Sequence, residues 1–500
     1  MSRLRRSPFV VATALLIITV LLSTSGGCSG QKNGTVGLGG SAADGGDDSS
    51  NTFAPEDAAA VFQPGTPTSS CTTGLCLAVP ANCASTTSLS GIVYDPAGQN
   101  PIYGAVVFVP NDPNGNLPAI KPGTNSCGTC DASVGNAVAV TTTDPGGHFK
   151  LTGVPATSHV PLVVQVGKWR RRNVFISSVT ACQDTPVPPD MSRLPRNQKE
   201  GDMPQMALLT GGCDDLGCFL KNVGIDASEF SSPRGGGRLD IYRGGDDSNL
   251  GGPPAPNLVG GRTGGAAGNC ASSSCPLWSS TSNLEYYDIV LLACECTENQ
   301  ANKPDKTPLH DWVDKGGKVF TTHYQYTWFK NGPADFQKVA NWTTGADSPD
   351  AAPDPGPFRV DTSFPKGKAL LDLLANRALN ANGTVPLNPP DVKTSVTTVN
   401  PPTVRWIYDV SETPNNVKYM SIDAPIGGIP GQMTSAGGPQ YCGKAVFTDI
   451  HTSGSPQGDI PSTCASAPMT PQQKALEFLF FDLSACVQAD TAPPPMYTAR

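Results

Sequence analysis

The stretch "DKGGKVFTTHYQYTWFKNG", residues 314–332, decides the fold. Gly316-Gly317 stops a helix, because glycine accepts the left-handed backbone that closes a helix C-terminus. Lys318-Val319-Phe320 is a short apolar run, read as a buried strand. Thr321-Thr322-His323-Tyr324 is its polar exit. The sequence "YCGKAVFTDIHTSG" repeats the logic: Gly443-Lys444, then apolar Ala445-Val446-Phe447, then Thr448-Asp449-Ile450-His451. Upstream, "YYDIVLLACE" (286–295) is a continuous apolar strand, as in a parallel sheet covered on both faces. "MALLTGG" followed by Asp214-Asp215 and the helical spacing Leu216, Phe219, Leu220, Val223 reads as strand, loop, capped helix. "GRLDIYRG" (237–244) is a further strand and "TPLHDWVDKGG" a helix. Strand and helix in alternation imply an α/β layer fold with a parallel sheet. "VRWIYDV" and "VKYMSIDAPIGG" read as antiparallel strands inserted into it. "TPQQKALEFLFFDLSACV" reads as a final amphipathic helix, started by Thr470-Pro471.

The segment before this part has a different grammar. "LSGIVYDPAGQNPIYGAVVFVPN" holds two β-rich runs, Gly91–Tyr94 and Ala105–Val109, separated by the turn Asp95-Pro96-Ala97-Gly98. "AVAVTTTDPGGHFKLTGVP" and "VPLVVQVGKW" follow. Short strands with Asp-Pro-Gly-Gly turns argue for a β-sandwich. Gly91, Val93, Asp95, Pro101, Gly104, Ala105, Val107, Thr143, Asp144, Gly147, Phe149, Leu151, Val154 and Pro155 resemble the carboxypeptidase-regulatory-like domain, a transthyretin-type sandwich, over about residues 90–180. The resemblance implies a noncatalytic module, with His148 and His159 at its surface. An insertion surrounds Cys127–Cys130.

The N-terminus gives the destination. Arg3, Arg5 and Arg6 precede the uncharged run Phe9 to Leu22, which is too short to span a bilayer, where about 20 apolar residues are needed. Small residues follow, and the order basic, apolar, small is that of a secretory signal peptide. Ser25-Gly26-Gly27-Cys28 resembles the lipobox of bacterial lipoproteins, which implies acylation of Cys28. Ser29 after it implies sorting to the outer membrane. From Ser29 the chain is rich in Gly, Ser and Asp without apolar periodicity, as expected of a flexible tether.

Sixteen cysteines, many in close pairs, fit an exported, disulfide-bonded protein. With Cys28 set aside the number is odd, so at least one thiol is unpaired. Connectivity stays open. Cys127-Gly-Thr-Cys130 lacks a second ligand pair at zinc-site spacing. The net charge is −8, and loss of the three signal-peptide arginines takes it to about −11, which excludes nucleic acid as a partner. The one basic run, Lys168 to Arg172, reads as a solvated strand edge or turn. Gly235-Gly236-Gly237-Arg238 is no phosphate loop, since no Gly-Lys-Ser/Thr follows.

Ligands of open α/β sheets sit outside the carboxyl ends of the strands. His323, Asp449 and His451 all fall there. "GGKVFTTH" and "GKAVFTDIH" resemble the class I glutamine-amidotransferase-like fold, in particular its trehalose-utilisation-like branch, over about 205–485. That family's elbow nucleophile is a cysteine, and here the elbow residue is His323, so amidotransferase activity is not expected. Cys294 and Cys296 end a different strand. Three readings stay open: a metal or ligand site of His323, His451, Asp449 and Glu295; histidines bonded to backbone at a vestigial site; and carbohydrate stacking on Tyr324, Tyr326 and Trp328.

The expectation is thus a multidomain chain: signal peptide 1–28, tether 29–85, transthyretin-like β-sandwich 86–200, a three-layer, flavodoxin-like α/β domain 205–488 with inserted strands, and a disordered tail 489–500. Its expected role is a lipid-anchored envelope module binding a carbohydrate or peptide ligand without catalysis and without a cofactor. A metal-assisted hydrolase using His323, His451 and Asp449, and a purely structural envelope protein, are the alternatives.

Overall fold

The computed structural model describes residues 71–500 except 124–126, 129–132, 247–253, 260–267, 272–273, 344–352, 376–378, 381, 414, 435–436, 453–457, 493–496 and 500. The signal peptide, Cys28 and the first part of the tether lie outside the described residues. The described residues are rich in sheet and contain few helices.

The first region has two sheets with a shared core. A five-stranded antiparallel sheet runs in the order Ala137–Thr142, Val106–Pro110, Ser158–Val166, Trp169–Ser178, Gly201–Asp202. A three-stranded sheet places Ser88–Ile92 between His148–Thr152 and Asp184–Pro186. Leu89, Phe149 and Leu151 of the small sheet pack with Val107, Val109, Val160 and Leu162 of the large one. The Asp-Pro-Gly-Gly turn forms as its residues dictate. Gly147 donates to the Asp144 carbonyl at 2.8 Å with φ of 75°. A Cβ there would also meet Val93 O at 2.8 Å, so glycine is required twice over.

The second region is an eleven-stranded mixed sheet. Six strands are parallel, in the order Phe230–Ser231, Leu239–Arg243, Met206–Thr210, Ile289–Leu292, Lys318–Thr322, Gly443–Thr448. Val417–Ala424 adds antiparallel to the last, and Val404–Asp409 pairs with it. The strands expected as an insertion therefore extend the main sheet. Strand order reverses direction between Met206–Thr210 and Ile289–Leu292, the switch point at whose carboxyl ends open α/β sheets place their ligands. Side chains alternate between two cores: Met206, Leu208, Ile289, Leu291 and Phe320 face one, and Ala207, Leu209, Val290, Leu292 and Val319 the other. Both faces are covered, which is why these strands read as unbroken apolar runs.

Helix ends follow local rules. Asp215 caps Leu216–Val223 by accepting from Cys218 N, and Gly224 closes it at φ of 106°. Thr470 and Gln473 form a capping box on Pro471–Ser484. That helix is not amphipathic, as expected from sequence, but buried along nearly its whole length. It lies between the two regions: Trp169 packs edge-on against Phe480 and Phe481, and Tyr103 stacks on Phe478.

Three further expectations are corrected. Residues 71–85, assigned to the tether, are folded onto the first region. Leu75 is buried, its N–H bonds Asn111 O at 2.9 Å, and Cys83 is joined to Cys182. The tail is tied in as well. Asp490 is buried against Lys366 and Lys444, and Thr498–Ala499 pairs with Ser133–Val134. The basic run lies on a turn and strand as expected but is mostly ion-paired: Lys168, Arg170 and Arg171 pair with Asp288, Asp202 and Glu200 at 2.6–2.7 Å, while Arg172 is 40% exposed. His148 and His159 are exposed, as the resemblance implied.

Candidate functional site

Four adjacent parallel strands end on one buried spot. Met206–Thr210 leads into Gly211–Asp214, Ile289–Leu292 into Cys294, Lys318–Thr322 into His323, and Gly443–Thr448 into His451. The Cys294 sulfur lies 3.5 Å from His323 Nδ1, and the His323 and His451 ring centroids are 5.2 Å apart. One ligand atom from each of Cys294, His323 and His451 falls within 4.8 Å of the other two. All three are buried, His323 at 2% and His451 at 5% exposure.

The backbone is shaped to allow this. His323 has φ of 41°, a left-handed conformation that a non-glycine residue rarely takes. It turns the chain from extended strand into the 3-10 turn His323–Tyr326 and projects the imidazole across the sheet edge. Gln325 supports the turn by donating to Ala293 O at 2.8 Å. Gly211 packs against Cys294, where a Cβ would meet the Cys294 carbonyl at 2.0 Å. The Cys213–Cys296 disulfide ties the same two loops. Asp214 joins the first loop to the last strand: its Oδ1 accepts from Thr452 N at 2.9 Å and Thr452 Oγ1 at 2.6 Å.

The electrostatics are those of a sealed site. Burial pushes the Cys294 thiol up to about 12 and pushes His451 down to about 3, with Lys393 adding to the latter. Burial raises Asp214 to about 7, against the opposing bonds from Thr452. A cysteine nucleophile needs the opposite shift, toward thiolate. Cys294 is therefore unsuited to attack a substrate, despite the imidazole beside it. The His451 ring makes no hydrogen bond among the described residues and its Nε2 is buried, whereas the Asp214 carboxyl has the Thr322 hydroxyl beside it.

The other sequence candidates fall elsewhere. The Asp449 carboxylate accepts from Ser395 N and Ser395 Oγ, both at 2.7 Å, just before the strand Val396–Val399. Glu295 is fully buried. It accepts from Gly245 N, Asn299 and Asn302 on one oxygen, and from Gln325 and the buried Lys303 ammonium on the other. Trp328 is sealed in the core, donating to Gln325 Oε1 at 3.0 Å and packing edge-on against Trp278. Tyr326 is buried too, and only Tyr324, with its ring 4.2 Å from His323, borders the site. A cavity of about 70 Å³ lies apart from this cluster, between the turn Asn100–Gly104 and the final helix.

Sequence reasoning missed Cys294 and Asp214. The odd cysteine count required a free thiol, and Cys294 is the free one among the described residues, but only topology could say which. Asp214 carried a signal that went unused: like His323, it follows a parallel strand at its carboxyl end. No family model matches the chain, and no curated protein or solved structure matches it significantly.

Proposed function

We propose that this chain is an exported, lipid-anchored protein of the bacterial outer membrane that binds a ligand at the carboxyl edge of its parallel sheet and does no chemistry on it. In this reading Cys28 carries the lipid, the tether gives reach, and the first region is a transthyretin-type spacer. The second region is a flavodoxin-like layer fold that presents the site. One observation carries the proposal: Cys294, His323 and His451 converge from three adjacent strand ends with ligand atoms within 4.8 Å of one another, and His451 Nε2 is buried without a hydrogen bond. Buried polar groups in native proteins are normally hydrogen-bonded, so an exception that falls inside a cluster of ligand atoms favours a bound group there.

The hydrolase alternative has one observation in its favour, two close imidazoles with a thiol beside them. It is the weaker reading, because 2% and 5% exposure leaves a polymeric substrate no access to the rings. Carbohydrate stacking loses Trp328 and Tyr326 to the core. Native mass spectrometry of the chain, released from outer membranes without denaturation, tests the proposal. A non-covalent mass above the covalent one, lost in His323→Asn, is expected. Asparagine tolerates the left-handed backbone and removes the ring. A bare wild-type mass would overturn the binding reading.

A further inference from the structure

We infer that the ligand of this site is a thiophilic transition-metal ion, Zn2+, held by Cys294, His323 and His451. The inference rests on the reading of the sheet edge as a binding site and names what binds there.

Distance is the first argument. Zinc binds thiolate sulfur at about 2.3 Å and imidazole nitrogen at about 2.0–2.1 Å, usually with tetrahedral angles, which sets a sulfur-to-nitrogen edge of about 3.5 Å. Cys294 Sγ and His323 Nδ1 are 3.5 Å apart. The remaining donor is within 4.8 Å of both, so a small ring rotation closes the set. Donor chemistry is the second. One sulfur and two imidazoles suit zinc and copper, whereas calcium and magnesium require oxygen cages.

Rigidity and charge complete the case. The donors sit on strand ends locked by the sheet, by Gln325 and by the Cys213–Cys296 disulfide, and not on free loops. A buried dication needs compensating negative charge close by. On binding, the Cys294 S–H bond breaks, the sulfur pair forms the S–Zn bond and the proton leaves to solvent. The thiolate supplies that negative charge directly on the ion. Without a metal, His451 Nε2 is buried with nothing to bond.

A second His/Asp group, His310, Asp314 and Asp335, also has mutually close ligand atoms. There His310 already bonds Asp335 at 2.9 Å and Asp311 at 3.1 Å, and those two carboxylates are 42% and 48% exposed. It serves as the control.

The experiment uses the full exported chain, stripped with a chelator and refilled. One Zn2+ per chain is expected, competing with a chromophoric chelator. Co2+ should give a sulfur-to-cobalt charge-transfer band with tetrahedral d–d bands. Cys294→Ser should abolish that band and weaken Zn2+ binding by more than the roughly 10–100-fold lost with an outer-shell partner. His310→Ala should leave both unchanged. A cobalt spectrum without the sulfur band would overturn the inference even if Cys294→Ser failed to fold, and so would Zn2+ binding that survives in a folded Cys294→Ser. A bound non-metal mass that depends on His323 would overturn the metal and leave the binding site standing. A bare chain that takes up no Zn2+ would overturn both.

Discussion

At the amino edge of the parallel sheet, Lys444 sits between Asp482 at 2.9 Å and Asp490, with Asp423 at 3.9 Å. Lys366 shares Asp482 and Asp490 at 2.8 and 3.0 Å. Past the carboxyl end of the same strand, Gly443–Thr448, His451 is as deeply buried and its ring bonds nothing described. Both edges bury polar groups away from water. One edge pairs its charges internally, although Asp423 Oδ1 and the Tyr419 hydroxyl make no hydrogen bond there, and the other leaves an imidazole nitrogen open inside a cluster of ligand atoms. Compensated polar groups hold a structure together, and an uncompensated one inside a cluster of ligand atoms favours a ligand that completes it.

The largest effect should come from the compensated edge. Lys444→Met removes the cation shared by three carboxylates, and uncompensated buried charge costs about 3–5 kcal/mol. Chemical denaturation should show a loss of that size, and a loss below about 1 kcal/mol would mean that the network is not structural.

The seam between the two regions sharpens the comparison through pH. Glu477 and Asp95 are two buried carboxyls facing each other, with Asn100 and Lys474 beside them. Burial first, then Asp95, holds the Glu477 carboxyl well above its usual range. In the unfolded chain it ionises near pH ~4.3. The folded chain thus keeps a proton that the unfolded chain releases. That contribution is fully present below about pH 4 and is lost as pH rises. Glu477→Gln cannot ionise, so its unfolding free energy should fall less steeply than wild type above about pH 4. Parallel curves would show that the pair does not share a proton.

Much of this was legible in the sequence, for physical reasons. A parallel strand covered on both faces must be apolar throughout, so 286–295 and 318–322 announced themselves. Glycine after a helix and threonine before one gave the boundaries at Gly316 and Thr470. The rule that strand carboxyl ends carry function found His323 and His451. It could not tell that Asp449 turns its carboxylate toward Ser395, or that Glu295 is engaged by Lys303, because both depend on partners distant in the chain. Composition misjudged 71–85 and the tail for a related reason: a disulfide and one buried aspartate hold stretches whose own residues have no periodicity.

The most direct test is the unfolding free energy of His451→Leu in metal-free buffer, measured beside Lys444→Met. Leucine is close to imidazole in size and asks for no hydrogen bond. If the carboxyl edge is an open binding site, the variant should be more stable than wild type by about 1 kcal/mol, the order of penalty for an unsatisfied buried polar group. Lys444→Met should move the other way. A destabilised His451→Leu would mean that the imidazole supports the fold, and would contradict the account.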